Sequence, residues 1–177
     1  MLTTLALPAE AQRSEPVRIG WISNDRGVVN APMFAAFREG MRQRGYVEGR
    51  DVIIESRWGE GSNERLDQLA VELVKSNPQL IVTQGGPATY PVVRAGATMP
   101  IVFAFSGDPV EGKLVDSFAH PGRNLTGVSL LSLDLVGKRM ELIKETLPSL
   151  KRIAVLANPE HPGEQGELHA SQAAATQ

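Results

Sequence analysis

Two short apolar runs, each ending in a polar turn that contains glycine, constrain the fold of this chain more than any other feature. The first run is 80–83 (Leu-Ile-Val-Thr), followed by a turn at 84–89. The second is 101–105 (Ile-Val-Phe-Ala-Phe), followed by a turn at 106–110. Runs of this length and β-branched content are typical of strands buried on both faces. Their ends are then expected at one edge of a parallel sheet, where open α/β folds bind ligands.

The rest of the chain alternates predicted strands with predicted helices. Further strands are expected at 17–22, 51–57, 125–128 and 152–157, and helices are expected to begin near residues 32, 63, 88 and 134. Residues 108–120 predict a turn followed by a short irregular helix. A strand–helix–strand order of this kind requires parallel pairing through right-handed crossovers. The sequence therefore predicts an α/β fold with a doubly wound parallel sheet.

The length of the chain and a change in composition near residue 129 set the expected domain organisation. With 177 residues the chain can build one sizeable core and the beginning of another. After 129, one strand and one or two helices would bury too little apolar area to offset their ordering entropy. We therefore expect a leader at 1–16, a first α/β lobe at 17–128, and a hinge with an incomplete second lobe at 129–177. The lone strand at 152–157 is expected to pair with the first sheet or with another chain.

The first twelve residues resemble the tail of a secretory signal peptide. Residues 2–7 are mostly apolar and Ala9-Glu10-Ala11 fits a small-x-small cleavage site, although the basic leading segment is missing. A disordered leader explains the same residues equally well, and both interpretations stay open. Elsewhere, no apolar run approaches the roughly 20 residues that a membrane-spanning helix needs.

The composition argues against several functional classes. The absence of cysteine excludes a disulfide framework, a thiolate zinc site and a cysteine nucleophile. The three histidines share no metal-ligand spacing. The formal net charge of −2, with both signs interspersed, does not resemble a basic nucleic-acid footprint. The turns after the strands contain no obvious nucleophile–base pair. We therefore expect a protein that binds a small molecule, with no catalytic residue, metal site, cofactor or nucleic-acid partner.

The turn after the strand at 80–83 is the first candidate binding segment. Gly85 and Gly86 would let a ligand approach the backbone, and Pro87 and Ala88 open a helix. A helix start has unpaired N–H groups with positive dipole character, which suits a carboxylate or carbonyl ligand. A tight β–α turn without a ligand would use the same residues, and the motif alone does not decide. Since no Gly-Lys-Ser/Thr follows, the turn is not a P-loop.

Two further turns are expected at the same edge. Asp108 could accept a hydrogen bond from a ligand amine and Ser106 could donate or accept one, but Asp108 is also a good N-cap for the following turn. The capping role is the one that the motif alone favours, and both roles can hold together. Ser23 and Asn24 follow strand one, which flanks the usual switch point together with strand three. Trp21 is expected to pack in the core.

Several motifs are similar to those of one known family. They are Pro-Ile-Val-Phe at 100–103, Ser-Gly-Asp-Pro-Val at 106–110, Pro-Gly-Arg-Asn-Leu-Thr-Gly-Val-Ser at 121–129, and Lys-Arg-Ile-Ala-Val-Leu-Ala-Asn-Pro at 151–159. Through these motifs residues 17–158 resemble the periplasmic-binding-protein-like (type I) substrate-binding proteins of ABC transporters. Within that family the chain is similar to the tryptophan/tyrosine-type solute receptors.

The resemblance implies a two-lobed receptor of an ABC importer that closes on a small solute, with an amino acid or related carboxylate as the candidate. Carried over by position, the ligand-binding residues are Ser23, Asn24, Gly86, Pro87, Ala88, Ser106 and Asp108 in the first lobe and Asn158 in the second. The implied partner is the importer's membrane permease, and the implied location is periplasmic or extracytoplasmic after secretion. Two departures from the family pattern leave the solute open: Gln84-Gly85-Gly86 before the proline, and Gly107 between Ser106 and Asp108.

Binding without chemistry is the expected action. With most of one wall missing, the chain alone is expected to bind solute weakly or undetectably, and to self-associate through its incomplete second lobe. A ligand-sensing regulatory domain and a flavodoxin-like enzyme are the alternatives. A sensor domain would lack a signal peptide, and a flavin enzyme would be yellow on purification.

Overall fold

Five strands and five α-helices occur in the part of the chain that the structure describes. The computed structural model describes residues 15–27, 31–157 and 164–176. In chain order the elements are β1 (Val17–Ser23), α1 (Pro32–Gln43), β2 (Val52–Trp58), α2 (Asn63–Lys75), β3 (Leu80–Gln84), α3 (Gly86–Arg94), β4 (Ile101–Phe105), β5 (Leu125–Ser129), a 3-10 helix (Ser132–Leu135), α4 (Val136–Thr146) and α5 (Glu164–Ala175). The first five predicted strands are confirmed to within one residue at each end.

The five strands form one parallel sheet. Their order across the sheet is β2-β1-β3-β4-β5, and all four neighbouring pairs are parallel. This is the flavodoxin-like order, in which the direction of winding reverses between β1 and β3. The predicted doubly wound α/β fold is therefore confirmed, with the switch point between the first and third strands.

Both faces of the sheet are packed around the switch point. On one face Ile22, Leu66 of α2 and Val92 of α3 are fully buried. On the other face Trp21 packs against Phe34 of α1 with ring centroids 5.0 Å apart. Trp21 and Ile22 are consecutive, so the two-residue alternation of a strand sends them to opposite faces. Each fully buried apolar side chain of this size contributes about 1.5–3 kcal/mol. The prediction that Trp21 packs in the core is confirmed.

Local signals explain where the helices begin and end. Pro32 starts α1 at a position where its missing N–H costs no hydrogen bond. Gly45, with a φ of 88°, follows that helix and turns the chain back. The Ser62 hydroxyl caps α2 by accepting a hydrogen bond from the Arg65 N–H at 3.2 Å. These caps position the turns that connect each helix to the next strand.

The prediction of a sixth strand at 152–157 is wrong. The structure assigns no strand to residues 151–157 and gives them no place in the sheet. Ile153, Val155 and Leu156 are exposed, Leu156 completely so. An apolar run becomes a strand only when a neighbouring strand takes up its backbone hydrogen bonds. No strand among the described residues does so here, and pairing with the first sheet is therefore excluded for these residues.

The short irregular helix predicted within 108–120 is also wrong. The Gly112 N–H donates to the Asp108 carbonyl at 2.9 Å, which closes a single turn. Lys113 then adopts a φ of 56°, a left-handed conformation that a right-handed helix cannot continue through. Leu114 is nevertheless buried in the core, so an apolar anchor holds the turn in place.

The last two helices form a separate packing unit beside the sheet. Among the described residues, α4 packs on α5 and on the 3-10 helix. Leu142, Ile143 and Leu147 of this region remain exposed. None of the helices that the structure describes combines the length and apolar character needed to cross a bilayer.

Candidate functional site

The carboxyl ends of β1, β3 and β4 lie side by side at one edge of the sheet. Ser23 of β1 is opposite Gln84 of β3, and Gln84 is opposite Ala104 of β4. The turns at 23–25, 84–88 and 106–108 therefore follow neighbouring parallel strands. The structure brings together the three strand ends that the sequence predicts, at the switch point where open α/β folds bind ligands.

The turn after β1 uses its predicted site residues to hold itself together. Ser23 is buried, and its hydroxyl accepts a hydrogen bond from the Asp25 N–H at 3.1 Å. The Asn24 side-chain oxygen accepts one from the Gly61 N–H at 3.0 Å. A Cβ on Gly59 would lie only 2.5 Å from that same oxygen, so the loop after β2 fits closely against Asn24. Both residues lie at the predicted edge, and these oxygens are engaged within the protein.

The turn after β3 leaves a backbone donor open. Gly85 has a φ of 77° and a ψ of 164°, a conformation essentially restricted to glycine, and it is the N-cap of α3. Pro87 has no N–H, and the Ala88 N–H reaches back to the Gly85 carbonyl at 3.3 Å. The Gly86 N–H donates to no acceptor among the described residues. The start of α3 therefore keeps a free N–H with positive dipole character at the edge.

Two buried threonines support this turn. The hydroxyls of Thr83 and Thr89 lie 2.8 Å apart, and Thr89 also donates to the Gly85 carbonyl at 2.8 Å. Neither residue has measurable exposure. The hydrogen bond from Thr89 to the Gly85 carbonyl, together with the Thr83–Thr89 contact, thus stabilises the unusual backbone of Gly85. This pair was not predicted. Its signal in the sequence is only one hydroxyl near the end of β3 and one in the first turn of α3.

The turn after β4 is capped by its own aspartate. One carboxylate oxygen of Asp108 accepts hydrogen bonds from the Val110 N–H at 2.6 Å and the Glu111 N–H at 3.2 Å. The capping role favoured by the sequence is confirmed. Asp108 is only half-buried, so its carboxylate also faces the surroundings of the edge.

A serine at the end of β5 and a serine in the 3-10 helix donate hydrogen bonds to the same turn. The Ser132 N–H and hydroxyl both donate to the Ser106 carbonyl at 2.9 Å. The Ser129 hydroxyl donates to the Gly107 carbonyl. Ser106 therefore lies at the predicted edge, half-buried, with its carbonyl accepting two hydrogen bonds.

Asn158 is the last of the predicted site residues, and Tyr90 is an aromatic residue of α3 near the turn after β4. Asn158 lies outside the described residues. The Tyr90 hydroxyl donates to the Gly112 carbonyl at 3.2 Å, and its ring meets Phe105 edge-on with centroids 6.2 Å apart. Burial raises the pKa of the Tyr90 phenol. Tyr90 therefore joins α3 to the turn after β4 by packing.

The structure adds two side chains that the sequence analysis did not count as ligand residues. Asp25 Oδ2 and Gln84 Oε1 are buried and have no hydrogen-bond partner among the described residues. Trp21 Nε1, deeper along β1, shares that property. Gln84 had a signal in the sequence, because an amide at the end of an otherwise apolar run places a polar group at the rim of a core.

Two cavities lined by the described residues lie away from this edge. One of about 390 Å³ lies between α1 and β2, and one of about 560 Å³ lies between α4, α5 and residues 150–155. None of the residues at 23–25, 84–88 and 106–108 lines either of these two cavities. The same residues contain no group of three His, Asp or Glu side chains that could hold a metal ion.

Comparison with known sequences connects this edge to a family. The family model described as ABC transporter substrate binding protein matches residues 31–175. A curated tyrosine-binding protein from Clostridioides difficile is 30% identical over 123 residues, which are 69% of this chain and 35% of that protein. The chain therefore spans about a third of that relative's length.

Solved structures agree with the sequence comparison. A conserved domain protein from Vibrio cholerae has a TM-score of 0.80 at 31% identity, over 92% of this chain and 54% of that chain. The ABC domain from Streptococcus pneumoniae, solved with L-Trp, has a TM-score of 0.78 at 24% identity, over 91% of this chain and 54% of that chain. The second likeness shows the fold alone, and the chain spans about half of both structures. With a family match over most of its length, this chain belongs to the ABC transporter substrate binding protein family.

Proposed function

We propose that this chain holds an amino acid or a related carboxylate at the switch-point edge, as part of a solute receptor of an ABC importer. The observation that carries the proposal is the free Gly86 N–H at the start of α3, between the ends of β1 and β4. A carboxylate bound there gains a hydrogen bond and the favourable end of a helix dipole. The action proposed is binding without catalysis, with no cofactor.

The relatives support an aromatic amino acid as the first candidate solute. The curated relative is named for binding tyrosine, and the Streptococcus pneumoniae structure contains L-Trp. A small solute of this kind carries one carboxylate, one ammonium group and an apolar side chain. The edge offers the free Gly86 N–H for the carboxylate, and β4 ends in the aromatic Phe105.

Affinity in a receptor of this kind comes from burying the ligand between two walls. The described residues supply one wall, the edge at 23–25, 84–88 and 106–108. We propose the division into a first lobe at 17–128 and a second lobe from 129, with Asn158 in the wall that the second lobe contributes. The chain alone then binds weakly, because half of the ligand surface stays in water.

The proposed partner is the membrane permease of the importer, and the proposed location is outside the cytoplasm, as is general for this family. Support for secretion comes from the sequence of residues 2–11, which has the apolar stretch and the small-x-small pattern of a signal peptide. A fusion of residues 1–20 to a reporter enzyme that is active only after export tests this. Activity in the cytoplasmic fraction alone would contradict it.

Titration of the 177-residue chain with L-tryptophan, L-tyrosine and L-leucine tests the binding proposal. We expect dissociation constants of about 1 mM or weaker for the aromatic amino acids. In ¹⁵N-resolved NMR spectra the amide shifts should be confined to 23–25, 84–89 and 106–108. Micromolar binding would contradict the single-wall argument. Shifts centred on the cavity between α1 and β2 would contradict the site.

Self-association is proposed for the region after residue 136. Leu142, Leu147, Ile153 and Leu156 are exposed there, and apolar surface of this kind drives association. We expect a species larger than a monomer by light scattering, which the double change Ile153→Asp and Leu156→Asp returns to a monomer. Val71→Asp on α2, also an exposed apolar position, is the matched control. A monomeric wild type would refute the proposal.

A further inference from the structure

Two buried acceptor atoms at the switch point lack partners among the described residues. They are Asp25 Oδ2 and Gln84 Oε1, one from the turn after β1 and one from the end of β3. A buried oxygen without a hydrogen bond destabilises a fold, so each such atom in a native protein indicates a partner that is absent from the bare chain. Both atoms belong to residues at the carboxyl ends of β1 and β3, where the solute is proposed to bind.

The two acceptors are brought together by the sheet. Ser23 is opposite Gln84 in the β1–β3 register, and the Ser23 hydroxyl accepts the Asp25 N–H at 3.1 Å. The turn carrying Asp25 is therefore fixed directly beside the end of β3. By the two-residue alternation of strands, Gln84 shares a sheet face with Val82 and Trp21, the face that α1 covers. Asp25 begins the connection that leads to α1 on that face.

The chemistry of the pair selects the kind of group that would complete it. A carboxylate oxygen and an amide carbonyl oxygen only accept hydrogen bonds, and one of them carries a negative charge. Among the described residues no lysine or arginine forms an ion pair with Asp25. A cationic donor with several N–H bonds would satisfy both acceptors and the charge, and an ammonium group has three N–H bonds.

We propose that Asp25 and Gln84 bind the ammonium group of the amino-acid ligand, while the Gly86 N–H, two residues after Gln84, faces its carboxylate. This inference rests on the proposed function and makes it more specific. An α-amino acid carries its ammonium and carboxylate groups on one carbon, and Gln84 and Gly86 are only two residues apart where β3 ends and α3 begins. Asp108, whose carboxylate caps its own turn, is left out of the ammonium site.

Paired probes test the assignment in the 177-residue chain. L-tryptophan and its des-amino analogue indole-3-propionate differ only in the ammonium group. We expect the wild type to prefer L-tryptophan by about 10-fold to 100-fold, because hydrogen bonds to charged groups contribute that much. Gln84→Met and Asp25→Asn should each weaken L-tryptophan binding and leave indole-3-propionate binding unchanged. Equal weakening of both probes, or a wild-type preference for the analogue, would overturn the assignment.

A measurement without ligand separates this inference from the proposed function. If Gln84 Oε1 has no internal partner, Gln84→Met removes a buried unpaired oxygen and should raise the Tm by about 2–4 °C. Gln68→Met, at an exposed position of α2, should leave the Tm unchanged. A fall in Tm for Gln84→Met would show an internal hydrogen bond, for instance from Trp21 Nε1, and would overturn the inference. If neither probe binds the wild type, the proposed function fails, and the Tm change still decides whether the acceptor is unpaired.

Discussion

The turns after β3 and β4 are similar in sequence and different in structure. Each follows an apolar run and contains glycine and proline. After β4, the Asp108 carboxylate caps two backbone N–H groups, while Ser129 and Ser132 donate to backbone carbonyls of the turn. After β3, the Gly86 N–H and Gln84 Oε1 stay without partners among the described residues. Composition thus identifies a turn, whereas hydrogen-bond satisfaction decides whether that turn has groups left to bind a ligand.

The largest expected difference between the turns after β3 and β4 is the loss of unfolding free energy when a glycine in each is changed to alanine. Gly85→Ala puts a side chain on a backbone at φ 77° and ψ 164°, which costs about 1–3 kcal/mol of unfolding free energy. The same change should weaken solute binding, because it displaces the start of α3. Urea denaturation measures the first effect and the amino-acid titration measures the second.

Gly107→Ala in the turn after β4 is the matched control. Its φ is not in the left-handed region, and its new Cβ would meet the edge of the Phe105 ring at 3.2 Å. A ring can move by the few tenths of an ångström needed, so the loss should be well below that of Gly85→Ala. Equal losses would show that the two turns are under the same backbone constraint, and the comparison would be wrong.

The cap of the turn after β4 should give the next largest effect. Asp108→Ala removes the acceptor for the Val110 and Glu111 N–H groups and should cost about 0.5–2 kcal/mol. Asp108→Asn keeps a capping oxygen and should be nearly neutral in urea denaturation. We expect both variants to bind L-tryptophan with unchanged preference over indole-3-propionate. Loss of that preference in the stable Asp108→Asn variant would transfer the ammonium site from β1 and β3 to β4.

The sheet could be predicted from the sequence because its signals are local. The runs at 80–84 and 101–105 carry their own β-branched content and their own turn residues, and the helices between strands carry caps such as Ser62. Parallel pairing then follows from the strand–helix–strand order, since each helix connects two parallel strands through a right-handed crossover. Placing Ser23, Gly85 and Ser106 at one edge needed no further information.

The remaining features depend on partners that a sequence pattern does not name. Residues 152–157 have the composition of a strand, yet they have no neighbouring strand among the described residues, and 152–156 are exposed. Gln84 and Asp25 become candidate ligand groups only because their oxygens are buried without partners, which is a property of the packed structure. The Thr83–Thr89 pair likewise depends on the way α3 returns over β3.

The smallest expected effect lies at Glu55, in the middle of β2, whose carboxylate is paired with Arg18 and Ser76. Burial raises the pKa of the Glu55 carboxyl, but hydrogen bonds from Arg18 and Ser76 outweigh it and hold the pKa below its ordinary value of 4.5. A lowered folded-state pKa contributes stability above the unfolded pKa, and this stability is lost as the pH falls through the folded pKa. Because Arg18 is substantially exposed, Glu55→Gln should cost under about 1 kcal/mol at neutral pH.

The pH dependence of that small loss distinguishes a carboxylate that is paired within the protein from one that is not. The difference between wild type and Glu55→Gln should shrink as the pH is lowered from neutral through the folded-state pKa of Glu55, below which both side chains are uncharged. Glu72→Gln, at an exposed position of α2, should show no such convergence. At the carboxyl edge Asp25 forms no ion pair with any of the described residues, so Asp25→Asn should not reproduce the neutral-pH loss. If Asp25→Asn destabilises the ligand-free chain as Glu55→Gln does, the Asp25 carboxylate already has a partner within the protein. It is then not free to bind the ammonium group of a ligand.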